Sequence, residues 1–132
     1  MDRLFLDANI LFSASYRPES SLLQLWSFDD VALFTSTHAI EEANRNLQKY
    51  NPRCISNLNV LIEDMTIVRH DVILEEDPDL SVLPDKDKPL LTAAIAAGAT
   101  HLITGDRRHF GQWFGKRVKG ILIQPPGDYL RE

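Results

Sequence analysis

Two short apolar runs, each followed at once by an aspartate, constrain this chain more than any other feature. Leu4-Phe5-Leu6 closes on Asp7, and Leu102-Ile103-Thr104 closes on Gly105-Asp106. Each reads as a buried strand whose carboxyl end carries an acid. Val31 to Phe34, Met65 to Val68 and Gly120-Ile121-Leu122-Ile123 are further short strand candidates, with helix-length segments between them. Strands that alternate with helices imply a parallel sheet covered on both faces. The expected fold is therefore a three-layer α/β/α sandwich around a central parallel sheet.

The helical segments have readable ends. Thr35-Ser36-Thr37 offers N-cap chemistry for a helix in which Ile40, Ala43, Leu47 and Tyr50 recur at helical spacing, and Asn51-Pro52 stops it. Ser20 to Phe28 is a densely apolar, helix-length segment, and a further helix is expected from Cys54 to Glu63. Asp71 to Asp85 holds six acidic residues and reads as a solvated helix or loop. Asp87 to Ala97 is the clearest helix, with Leu91, Ala94, Ile95 and Gly98 on one face. Pro89 fits only its first turn, and Gly98 is a natural C-terminal stop.

A length of 132 residues fits a single domain spanning 1–132, and 44% hydrophobic content supplies a core of ordinary size. No apolar stretch approaches the ~20 residues that span a bilayer. Met1-Asp2-Arg3 does not begin a secretory leader, and Cys54 is the lone cysteine, so a cytoplasmic protein without disulfides is expected. The net charge of −5 argues against a protein that grips nucleic acid through side chains alone. It is compatible with an enzyme whose carboxylates hold a cation, because the cation then supplies the local positive charge.

Ligands of such sheets bind outside the carboxyl ends of the strands, near a topological switch point. Asp7 and Asp106 both project at that edge. Two neighbouring carboxylates repel, and a bound cation is the simplest remedy. Taken singly, each aspartate is equally well a helix cap or a turn residue.

Phe5-Leu6-Asp7-Ala8-Asn9-Ile10-Leu11 resembles the opening motif of the PIN-domain family. Lys86-Asp87-Lys88-Pro89-Leu90-Leu91, then Ala93 to Ala99 and Leu102-Ile103-Thr104-Gly105-Asp106, resemble its later motifs in the same order. The likeness extends over nearly the whole chain. It implies cleavage of RNA dependent on Mg2+ or Mn2+, with Asp7, Asp87 and Asp106 at the family's acidic, metal-holding positions. Asn9 and Thr104 match polar positions that orient a carboxylate or a metal-bound water. A further acid is implied between Thr35 and Leu47, where Glu41 and Glu42 compete. Helix geometry does not separate them, since both flank the polar side of the Ile40/Ala43/Leu47 stripe. Alignment from Ser36 favours Glu42.

Asp87 is also an excellent helix cap before Lys88-Pro89. Where many family members carry another acid after the position of Asp106, this chain has Arg107, Arg108 and His109, which leaves a second metal site without support. Arg107 and Arg108, with Lys116, Arg117 and Lys119, suggest an RNA-contacting lip. The interleaved Phe110, Trp113 and Phe114 are expected mostly to pack against the sheet. Similarity to toxin nucleases of toxin–antitoxin pairs implies an antitoxin partner and a homodimer. Two rival readings remain: an α/β phosphatase with Asp7 as nucleophile, and a degenerate RNA-binding or protein-interaction module. Asn9 argues against the first, because it occupies the place of the second aspartate that such phosphatases use as acid/base.

Overall fold

The structure is a computed structural model and describes residues 1–69 and 88–131. In chain order, the first part runs β1 (Asp2–Leu6), α1 (Ala8–Tyr16), β2 (Val31–Ser36), α2 (Thr37–Tyr50), α3 (Ile55–Glu63) and β3 (Thr66–Val68). The second part runs α4 (Lys88–Ala96), β4 (His101–Ile103), α5 (Arg107–Phe110), β5 (Arg117–Val118), β6 (Ile121–Gln124) and α6 (Pro126–Leu130). The strands form one sheet in the order β3-β2-β1-β4-β6-β5.

The first three strands step outward in one direction, and β4 then returns to the other side of β1. The order therefore reverses between β1 and β4, which makes their carboxyl ends the switch point of the sheet. All strand pairs are parallel except the edge pair β5–β6.

Side-chain alternation along the strands separates two cores. Leu4, Leu6, Leu33 and Ile103 pack toward α1, α2 and α3, against Leu11, Ala43, Leu47 and Leu58. Phe5, Phe34, Leu102 and Ile123 face the opposite layer, where Leu91, Ala94 and Phe110 from α4 and α5 cover them. The expected layering is thus present, with a sheet that is mostly rather than wholly parallel.

The exception has a local cause. Lys119 (φ 53°) and Gly120 (φ 81°) both take the left-handed conformation. Two such residues form the tight turn whose twist suits a two-residue hairpin, so the chain reverses and pairs Val118 with Ile121. Lys-Gly is a weaker hairpin signal than Asn-Gly, so the sequence alone does not announce this turn.

Ser20 to Phe28 also departs from expectation, forming a 3-10 turn over Ser21–Trp26 instead of an α-helix. Leu22, Leu25 and Trp26 keep the i, i+3, i+4 spacing of a helical face, but the segment is only six residues long, too short to sustain an α-helix on its own. Only Leu25 is fully buried, while the Trp26 indole donates to the Leu61 carbonyl at 3.0 Å.

Other boundaries follow the local chemistry. Ser36 caps α2 by accepting the Ala39 N–H at 3.0 Å, and α2 ends immediately before Asn51-Pro52. Gly98 closes the end of α4 at φ +67°, with Ala99 N–H donating back to the Ala94 carbonyl. The acidic stretch Asp71 to Asp85, and Asp87 at the expected start of α4, lie outside the described residues. Among the described residues, no helix is long and apolar enough to cross a membrane.

Arg3 joins β1 to α4. Its guanidinium donates to the carbonyls of Gly98 (3.0 Å) and Ala97 (2.7 Å) and lies 4.5 Å from the centroid of Phe34. A cation that satisfies carbonyls at a helix end is favoured by the helix dipole as well as by the hydrogen bonds. Arg3→Ala is expected to lower stability by about 1–2 kcal/mol. Urea unfolding checks this, and Arg3→Lys should recover only part of the loss because it lacks the planar fork.

Candidate functional site

The site grows from the ends of β1 and β4. Asp7 follows β1 and caps α1, its Oδ1 accepting the Ala8 N–H at 2.7 Å. Its own N–H donates to the Ile103 carbonyl at 3.1 Å, which fastens it to the end of β4. Asp106 follows β4 by three residues and caps α5, with Oδ1 accepting the His109 N–H at 3.1 Å. Capping is therefore a real role of both aspartates, and it is the role that aims them over the sheet edge.

Thr104 connects the two. Its fully buried hydroxyl donates to Asp7 Oδ2 at 2.7 Å and accepts the Asp106 backbone N–H at 3.1 Å. Asn9 closes the network: its Nδ2 donates to Asp7 Oδ2 at 3.0 Å, and its Oδ1 accepts the Gly105 N–H at 2.9 Å. Asp7 is thus held by Ala8, Asn9 and Thr104, residues drawn from two neighbouring strand ends.

A cleft of about 690 Å³ opens over this network. Asp7, Asn9 and Asp106 line it from the strand ends, and α2 contributes His38, Glu42 and Asn46. Those three α2 residues are spaced by four, so they share one helix face. Glu41 is not on that wall, so the structure separates the two acids that helix geometry alone left equivalent.

Asp7 is only 9% exposed. Burial drives its carboxyl above the ordinary value, and the negative charges of Glu42 and Asp106 add to that rise. Hydrogen bonds from Thr104 and Ala8 oppose it without reversing it. The folded-state contribution of this group is complete below the ordinary value near 3.8 and is lost as pH rises through the raised one. Ionising Asp7 in the folded protein therefore costs stability, a cost that a bound cation would relieve.

Asp7, Glu42 and Asp106 offer hard oxygen donors of the kind that Mg2+ or Mn2+ takes. Among the described residues, no three acidic, histidine or cysteine side chains converge into a finished metal cage. Asp87, the other expected ligand, lies outside the described residues.

The remaining expectations fall on both sides of the cleft wall. Arg107 and Arg108 are exposed on α5 and do not line the cleft. Phe110 is buried, and Trp113 and Phe114 pack against the same core, as the aromatic spacing suggested. His109 does line the cleft, with Nδ1 3.6 Å from Asp106 Oδ2. His38 and Asn46 were missed by the sequence reading. Their signal was the four-residue spacing to Glu42, which becomes useful only once that acid is placed.

A family model described as PIN domain matches residues 3–108. No curated protein matches the chain. Among solved structures, the chain is similar to one of VapBC2 from Rickettsia felis bound to a DNA fragment from its promoter. The TM-score is 0.66 at 13% identity, over 93% of this chain and 98% of that one. A structure of DNA-bound VapBC from Salmonella typhimurium gives 0.65 at 13% identity, over 96% and 99% of the two chains. VapC20 of Mycobacterium tuberculosis, described as a sarcin-ricin loop cleaving toxin, gives 0.61 at 13% identity, over 83% and 94%. At such identities the structural likeness speaks for the fold alone.

Proposed function

Because the chain belongs to the PIN-domain family, we propose that its acidic cleft is the active site of a divalent-metal-dependent endoribonuclease. The observation that carries this reading is the buried Asp7 carboxylate, whose charge is opposed by both Glu42 and Asp106 at the switch point of the sheet. Asp7 and Asp106 would hold the ion, together with Asp87, and Glu42 would face it from α2. When bound, Mg2+ or Mn2+ supplies Lewis-acid polarisation of a phosphate oxygen and the positive charge that admits an anionic substrate.

The chain's own residues supply the positioning. Thr104 and Asn9 hold Asp7 in one orientation, leaving little of its orientation to be fixed on binding. Thr104 ties the Asp106 backbone to the same point, so the spacing of the two aspartates is set by the fold. Arg107 and Arg108, outside the cleft wall, would meet phosphates flanking the cut.

The phosphatase alternative is disfavoured by Asn9, which donates to Asp7 and has no proton-transfer chemistry of its own. An antitoxin and a second copy of the chain are proposed partners. Similarity to solved VapBC structures is what supports the first.

The test is cleavage of RNA with Mg2+, Mn2+ or EDTA, accompanied by thermal unfolding. Cleavage is expected with either ion and absent in EDTA. An ion at about 100 times its Kd should also raise stability by roughly 2.7 kcal/mol. That shift should shrink as pH falls, because protons compete with the ion for Asp7, whose carboxyl burial holds above its ordinary value. Cleavage that persists in EDTA, or release of phosphate from a small phosphoester without cutting RNA, would overturn the reading.

A further inference from the structure

The wall of the cleft continues beyond the acids. Along α1, Asn9, Phe12 and Ser13 line the cleft, and Tyr16 lies on the same face one turn past Phe12. Along α2, His38, Glu42 and Asn46 line it, and Tyr50 is the next residue at that spacing. The two helices therefore carry one surface from the acidic end to an aromatic end. The distance is about 10 Å along α1 and about 12 Å along α2.

The aromatic end is open and organised. Phe12 and Tyr16 stack with centroids 5.3 Å apart and planes 18° from parallel, while Tyr50 meets Phe12 edge-on at 6.0 Å. Tyr16 is 37% and Tyr50 62% exposed, which is unusual for aromatic rings already clustered with one another. Basic residues stand beside them. Lys49 Nζ lies 5.4 Å from the Tyr50 centroid. Exposed Arg17 follows Tyr16, and exposed Arg53 adjoins Cys54, whose thiol donates to the Tyr16 carbonyl at 3.8 Å.

Half-exposed rings with flanking cations, continuous with a phosphodiester-cleaving centre, match the chemistry of an unpaired nucleotide. A base presents a π-face to the rings and a phosphate to the cations. We propose that Tyr16 and Tyr50 form a stacking platform for an unpaired base of the RNA substrate, with Lys49 and the two arginines holding its backbone. At 3.4 Å per stacked nucleotide, the platform lies about three nucleotides from the acidic centre. This inference rests on the ribonuclease reading and adds to it the residues that would grip the substrate beside the acids.

The experiment compares wild type with Tyr16→Leu, Tyr50→Ala and Tyr16→Phe on a short single-stranded RNA in Mg2+. Stacking of one base corresponds to a KM effect of roughly 10- to 100-fold. Tyr16→Leu and Tyr50→Ala are each expected to raise KM by that order. kcat should stay within about twofold, because the platform does not touch the reacting atoms. Tyr16→Phe, which keeps the ring, should behave as wild type. An abasic residue at the stacked position should raise the wild-type KM to the mutant level and leave the mutants unaffected.

Unchanged KM in Tyr16→Leu and Tyr50→Ala, with active wild type, overturns the platform and leaves the patch to a protein partner. If wild type cleaves no RNA, the parent reading fails. Fluorescence anisotropy with the same oligonucleotide still decides the platform, which then requires the two variants to bind 10- to 100-fold more weakly than wild type.

Discussion

Replacing Asp106 with Asn should reduce RNA cleavage by about 10³-fold or more while leaving the fold intact. The amide keeps the oxygen that accepts the His109 N–H, so the cap of α5 survives. What disappears is one of the three acidic side chains that line the cleft. Charge stabilisation by a bound ion contributes several kcal/mol to such a reaction, and each 1.36 kcal/mol corresponds to a factor of ten. Asp7→Asn should reach a similar loss. It also removes one of the acceptors used by Ala8, Asn9 and Thr104, so its thermal stability must be measured beside its rate. The α2 acids supply an internal control: Glu42→Gln should slow cleavage, and Glu41→Gln should stay within about twofold of wild type. Full activity of Asp106→Asn in saturating Mg2+ would remove the acidic cleft from the mechanism.

Phe5→Ala should cost about 3–5 kcal/mol of stability, a large share of the 5–15 kcal/mol by which a domain is normally held. Phe5 is fully buried at the centre of the sheet. It pairs in register with Phe34 on one side and Leu102 on the other, and Leu102 pairs in turn with Ile123. These four side chains form a continuous row beneath α4 and α5. Truncating its second member opens a cavity that rigid neighbouring strands cannot close. In urea unfolding, the midpoint should fall with little change in slope. Phe5→Leu should lose much less, since it keeps most of the buried volume. A loss of unfolding free energy for Phe5→Ala of under about 1 kcal/mol would mean that this row is not the core of the sheet.

Much of this organisation could be read along the chain, because it depends on neighbours in sequence. Alternating β and α segments give a parallel sheet, caps such as Ser36 and stops such as Asn51-Pro52 and Gly98 act within a few residues, and an acid after each central strand must project at the sheet edge. The resemblance to the PIN-domain family came from the same local blocks. Where local signals were weak or mixed, the reading failed. Ser21–Trp26 carries helical apolar spacing over only six residues, too few to sustain an α-helix, and the Lys119-Gly120 turn lacks the usual asparagine.

The aspartates at the two strand ends were thus determined by sequence, down to their positions at the ligand-binding edge. Only the tertiary structure decided what surrounds them. Thr104 reaches Asp7 across 97 residues, and the placement of Glu42 rather than Glu41 on the cleft wall depends on how α2 lies in the fold. The raised Asp7 carboxyl likewise comes first from burial by the folded chain, with smaller additions from two negative charges distant in sequence. Each of these is a contact between segments far apart in the chain, and a helical or strand period fixes only which way a side chain points from its own element.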